Sequence, residues 1–111
     1  MEIARLSPDF AVGPQIRPED LAGVAAAGFR AVVNNRPDGE EPGQPAAAEI
    51  EAEAARLGLA YRFIPVAHGL PVEVAARELA AFLDAADGPV FAFCRSGSRS
   101  AQLWSLARRP G

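Results

Sequence analysis

The chain has 111 residues, half of them hydrophobic, and a net charge of −3; a single domain over residues 1–111 with a real core is expected, and the acidic balance argues against nucleic acid as the main partner. Its lone cysteine excludes an internal disulfide, and no apolar run approaches the roughly 18 residues that span a bilayer. With no signal-peptide layout at the N-terminus, a cytoplasmic protein without membrane contact is expected.

Residues 3–6 read as a short edge strand. Residues 10–15 read as a second strand, interrupted by Gly13-Pro14. Arg17-Pro18-Glu19-Asp20 opens a helix, because proline suits a first turn and acids favour the positive end. Leu21, Val24 and Ala25 share one face of it, and Gly28 is placed to end it. Residues 29–34 form a buried strand around Ala31-Val32-Val33. Residues 34–45 are dense in turn chemistry and follow a strand, which predicts a functional loop at the rim of a sheet. A helix over 46–57 turns Ala47, Ile50, Ala54 and Leu57 inward, and Gly58 stops it. A strand over 59–66 offers Tyr61, Phe63 and Ile64 to the core. The loop 67–71 follows, then a helix over 72–86 with Ala76, Leu79 and Phe82 inward. Residues 88–93 are an apolar, aromatic run bounded by Gly88-Pro89, a buried strand. The last helix, 100–109, carries Trp104 into the core.

Strands alternate with helices. The fold class is therefore α/β, with a mostly parallel sheet flanked by helices. In such sheets ligands sit outside the carboxyl ends of the strands. Three loops fall there: 35–45, 67–71 and 94–99.

Cys94 stands between a buried strand and a helix N-terminus. Backbone N–H groups and the positive end of the helix dipole converge on such a position. An anion is expected to bind there, and the thiol to be a thiolate near neutral pH. A lone cysteine after an apolar strand can be only a small buried hydrophobe. The flanking Arg95, Gly97 and Arg99 favour a nucleophile instead. Arg99 is the expected anion clamp, through its planar fork. Arg95 either joins the anion site or faces solvent. Ser96 and Ser98 contribute backbone N–H groups to the loop. Ser100 either caps the following helix or donates its hydroxyl to the thiolate or the departing group. His68 is either a rim acid or base or a plain loop residue. Arg36 and Asp38 either line the rim, with Asp38 as a candidate acid, or Asp38 bonds backbone in a rigid turn. One histidine and one cysteine imply no metal, and no cofactor is expected.

The run Cys94-Arg95-Ser96-Gly97-Ser98-Arg99-Ser100 resembles the active loops of the cysteine-dependent protein phosphatases and of the rhodaneses. With Phe10-Ala11-Val12-Gly13-Pro14-Gln15, Asn35-Arg36-Pro37-Asp38-Gly39-Glu40, Ile64-Pro65-Val66 and Gly88-Pro89-Val90, nearly the whole chain resembles the bacterial phosphatase-like family named for β-lactamase-hydrolase-like proteins. That resemblance implies a tyrosine-phosphatase-type fold, of the dual-specificity phosphatase kind. It also implies relatives fused to metallo-hydrolase domains of the persulfide dioxygenase kind, some labelled sulfur transferases. A persulfide-metabolising hydrolase is thus an expected partner.

Two departures from the phosphatase pattern decide the expected reaction. Four residues separate Cys94 from Arg99, one fewer than in the phosphatase loop and as in many rhodaneses. Phosphatases of this fold also carry an aspartic general acid in a loop before the cysteine. Here that region reads Val66-Ala67-His68-Gly69-Leu70-Pro71, without a carboxylate. A thiolate attacking the outer sulfur of thiosulfate or a persulfide needs no protonated leaving group. The expectation is a sulfurtransferase forming a Cys94 persulfide from thiosulfate or a low-molecular-weight persulfide. The alternative is a phosphatase working through a phosphocysteine, and the third reading is a non-catalytic anion-binding or partner module.

Overall fold

Val90–Phe93 is the strand on which the sheet is built. The structure, a computed structural model, describes residues 2–67, 69 and 71–108. In chain order these form β1 (Ala4–Ser7), β2 (Phe10–Gly13), a 3-10 turn (Pro18–Asp20), α1 (Leu21–Ala26), β3 (Ala31–Asn34), α2 (Ala47–Arg56), β4 (Ala60–Phe63), α3 (Glu73–Ala85), β5 (Val90–Phe93) and α4 (Ser98–Ala107). The strand order is β1-β2-β5-β3-β4. Only β1 runs antiparallel to its neighbour; β2, β5, β3 and β4 are parallel. The expected α/β architecture is what forms.

Alternation along β5 splits the core in two. Val90 and Ala92 join Phe10, Val12 and Val33 under α3 and α4, with Leu79 and Leu103. Phe91 and Phe93 join Ala11 and Val32 under α1 and α2, with Leu21, Val24, Ile50 and Ala54. A strand with both faces covered must be apolar throughout, which explains the Val-Phe-Ala-Phe run. Burying each phenylalanine contributes about 1.5–3 kcal/mol, so this strand is a rigid base for the loop after it.

Two expectations about elements need correction. Phe63 is 37% exposed rather than core, because it ends the short outermost strand β4, where a neighbouring strand is present on one side only. The strand itself stops at Phe63, although Ile64 beyond it is buried as expected. The last helix begins at Ser98, two residues before the expected start, so Arg99 and Ser100 belong to its first turn. Trp104 on that helix stacks on Phe10, with ring centroids 5.7 Å apart, as its core assignment requires.

The parallel strands point their carboxyl ends to one rim. There Asn35 ties the ends together. Its N–H donates to Phe93 O, its carbonyl accepts from the Val66 N–H, and its Nδ2 donates to Ile64 O, each at 2.8 Å. The loops after β3, β4 and β5 are thereby fixed side by side.

Candidate active site

The turn after β5 depends on two glycines. Gly97 has φ +99, a region L side chains rarely adopt, and a Cβ there would stand 3.3 Å from Gly13 O. At Gly13, a Cβ would fall 2.5 Å from Glu2 O. The approach of Gly97 to Gly13 goes with two bonds, from the Cys94 N–H to Gly13 O at 3.4 Å and from the Gln15 N–H to Arg95 O at 3.2 Å. The cysteine loop is thus clipped onto the end of β2.

α4 starts without a side-chain cap; its N-cap is Gly97. The Cys94 sulfur fills that role. Sγ accepts the Gly97 N–H at 3.0 Å. The cysteine is fully buried. Burial pushes its thiol pKa up, and the N–H groups of Ser100, Ser96, Gly97 and Arg99 more than offset this, leaving it below its ordinary value. Helix N-terminal donors with no partner of their own are suited to a concentrated negative charge. The arrangement therefore shifts the thiol towards its ionised form relative to a free cysteine.

Arg99 is 8% exposed. Its Nη1 donates to Glu40 Oε2 at 2.7 Å and to Val66 O at 2.9 Å, and its Nη2 donates to Glu40 Oε1 at 2.8 Å. Glu40 raises the Arg99 pKa most, and contact with Cys94 adds to the rise. The guanidinium thus stands between the thiol and a carboxylate. That carboxylate bonds a second cation: Arg36, fully buried, donates from Nε to Glu40 Oε1 at 2.8 Å. Arg36 also donates to Glu41 Oε1 at 2.9 Å and to Gln15 Oε1 at 3.2 Å. The hydrogen bonds from Arg99, and after burial's opposing effect those from Arg36, lower the Glu40 pKa to about 2. Arg36, Glu40, Glu41, Arg95 and Arg99 line an open cleft of about 440 Å³.

The structure gathers most of the expected residues and sets Asp38 apart. Arg99 stands beside Cys94, and Arg36 is joined to Arg99 through Glu40. Arg95 is exposed, yet it lines this cleft and a second one of about 470 Å³ on the β1–β2 side of the loop. Ser96 and Ser98 pair their hydroxyls at 3.0 Å on the surface. Neither role expected of the Ser100 hydroxyl is found. It donates to Asn35 Oδ1 at 2.8 Å, so its backbone N–H, not its hydroxyl, serves the sulfur. Asp38 takes the backbone-bonding option: its Oδ1 accepts the Ala47 N–H at 2.7 Å and caps α2, away from the cleft. His68 lies outside the described residues. Glu40 received no role from the sequence. The signal for it was the i,i+4 spacing from Arg36 in a loop bound for a cationic rim, where buried charge needs a partner.

A mostly parallel sheet with a cysteine in an N–H-lined turn before a helix defines a cysteine-phosphatase-like fold, here with the arginine one residue nearer the cysteine than in the phosphatase loop. Residues 2–110 match the family described as beta-lactamase hydrolase-like protein, phosphatase-like domain, and the chain belongs to that family. Among curated relatives, the beta-lactamase hydrolase-like protein of Agrobacterium fabrum is 36% identical over 96% of this chain. That of Xylella fastidiosa strain Temecula1 is 34% identical over 96%. The chain spans about a quarter (25%) of each of these relatives. A solved Neisseria meningitidis protein, whose phosphatase label is provisional, superposes with a TM-score of 0.84 at 30% identity, covering 94% of this chain and 74% of that one. A mutant form of Tk-PTP shares the fold, with a TM-score of 0.68 at 18% identity, over 97% of this chain and 81% of that one. No described helix is long and apolar enough to cross a membrane.

Proposed function

We propose that this phosphatase-like domain is a sulfurtransferase. The observation that carries this reading is the state of the two carboxylates that share the cleft with Arg99. Glu40 is held ionised by two arginines, and Glu41 is pushed down by its bond to Arg36. Cleaving a phosphomonoester calls for a proton on the leaving oxygen, and neither group has one to give at neutral pH. Sulfur transfer has no such need. The Cys94 thiolate attacks the outer sulfur of thiosulfate, the S–S bond breaks, sulfite leaves with its electron pair, and Cys94 carries the sulfane sulfur as a persulfide anion. The loop N–H groups and Arg99 hold the donor and then the persulfide.

Incubation with thiosulfate, or with a low-molecular-weight persulfide, is expected to add one sulfur to Cys94 by intact mass. Cyanide is then expected to release it as thiocyanate. Absence of the adduct with every such donor would overturn the reading. The second reading, a phosphatase acting through a phosphocysteine, is favoured by the family description and by the neighbours' labels. It calls for turnover of an aryl phosphate that disappears in Cys94→Ser. A reduced cytoplasmic setting suits a persulfide-forming thiol. The greater length of the relatives leaves room for a hydrolase that consumes the persulfide, in the same chain or as a separate partner.

A further inference from the structure

The cleft lined by Arg36, Arg95 and Arg99 also holds two carboxylates, Glu40 and Glu41, and sulfur transfer itself asks nothing of them. Anion cradles gain from unopposed cationic charge, yet here most of it is opposed. Glu40 and Glu41 stand against Arg36, Arg95 and Arg99 in the lining of the cleft. Glu40 is not a surface acid that swings away. Both of its oxygens bond Arg99, and Oε1 also bonds the buried Arg36. Its side chain is only 23% exposed. An incoming anion that reaches Arg99 therefore finds Nη1 and Nη2 already bonded to a fixed negative charge.

We propose that Glu40 is a specificity-determining residue that discriminates by ligand charge, admitting donors with one negative charge at the reacting group and disfavouring dianions. Resting on the sulfurtransferase reading, this makes a monoanionic organic persulfide the substrate class, ahead of the dianions thiosulfate and phosphate monoesters. The transfer balances without a proton. The thiolate of Cys94 attacks the outer sulfur of R–S–S⁻, the S–S bond breaks, R–S⁻ departs with the electron pair, and Cys94 keeps S–S⁻. Electrostatic repulsion scales with ligand charge, so Glu40 opposes a dianion twice as strongly as a monoanion.

The test is anion binding, read without turnover. Sulfate and methyl sulfate differ by one charge and present similar oxygens. Each is titrated against the wild-type protein and Glu40→Gln, following loop amide shifts by NMR. The variant removes the Glu40 charge and frees Arg99 together; both changes scale with ligand charge and push the ratio the same way, while effects of shape act on both anions and drop out of it. The sulfate-to-methyl-sulfate affinity ratio is expected to rise about threefold in Glu40→Gln, the order expected of one partly screened charge nearby. A ratio that is unchanged or lower overturns the proposal. Glu41→Gln, at a half-exposed position, provides a second variant should Glu40→Gln fail to fold; it is expected to raise the ratio by less, and an unchanged ratio there counts against the proposal as well. Failure of the sulfurtransferase reading shows differently, as a Cys94 that never gains sulfur whatever the anion ratio does.

Discussion

Two loops meet at the rim of the sheet, and they are built by opposite means. The loop after β5 gathers backbone N–H groups around a sulfur, and its side chains contribute little to that cradle. The loop after β3 works through side chains: Arg36 and Glu40 bond each other, and Glu40 bonds Arg99 across to the other loop. The first depends on chain geometry and the second on charge. A cradle of amides holds an anion without carrying a titrating group of its own, whereas an ion-pair network responds to pH and to salt. The pairing divides the work: the backbone stabilises the thiolate, and the charged loop fixes the arginine beside it.

Breaking the geometric loop should have the largest effect. Gly97→Val forces a β-branched residue into φ +99 and against Gly13 O. A strained backbone of this kind costs on the order of 1–3 kcal/mol. Because the Gly97 N–H bonds Sγ directly, the thiol should also lose its reactivity at neutral pH. Iodoacetamide alkylation followed across pH checks this. The wild-type midpoint should lie below that of an ordinary thiol, and the Gly97→Val midpoint should move up. A variant that alkylates with the wild-type profile would mean that the turn does not set the thiolate.

Arg99→Lys breaks the junction between the loops. Lysine keeps the charge and loses the planar fork that spans both Glu40 oxygens. Persulfide formation on Cys94 should fall by about tenfold or more, while thermal stability changes less than in Gly97→Val. Equal rates in the two proteins would separate Arg99 from the chemistry.

Ser100→Ala affects the cradle only indirectly. The hydroxyl is fully buried and donates to Asn35 Oδ1. Its loss leaves that acceptor unsatisfied, at about 1–3 kcal/mol of stability. The backbone N–H that serves Cys94 remains, so chemical denaturation should report a clear loss while the alkylation rate changes little. The reverse pattern would return the hydroxyl to the chemistry.

The two loops also differed in how far they could be read from the sequence. The strand Val90–Phe93, the thiol after it and the positive-φ glycine are local features, visible as an apolar run, a single Cys94 and a Gly97 before a helix. The helix start was misplaced by two residues because the capping acceptor is the sulfur of Cys94, not a Ser or Asp side chain. The partners of the second loop are long-range. Glu40 meets Arg99 across 59 positions and Ser100 meets Asn35 across 65, and no local pattern carries such pairs. Asp38 illustrates the same point: it stands two residues before Glu40, yet it caps α2 while Glu40 enters the cleft.

Acid separates the loops with the smallest effect. Folding lowers the Glu40 pKa from about 4.5 to about 2. A depressed carboxylate contributes stability that is fully present above its unfolded pKa and is lost as pH falls through its folded one. The Glu40 contribution should therefore be intact at pH 6 and fade from about pH 4.5 towards pH 2. Urea denaturation at steps across that window should show wild-type stability falling more steeply than that of Glu40→Gln, so that the two curves converge in acid. Parallel curves would mean that the ion pairs with Arg36 and Arg99 contribute nothing net, the outcome when the cost of desolvating buried charges cancels their attraction. Cys94 should respond in a separate window. Its thiolate is neutralised as pH falls through a pKa that, though lowered, belongs to a thiol. Alkylation rate and stability followed on the same samples would then report the two devices at the rim separately.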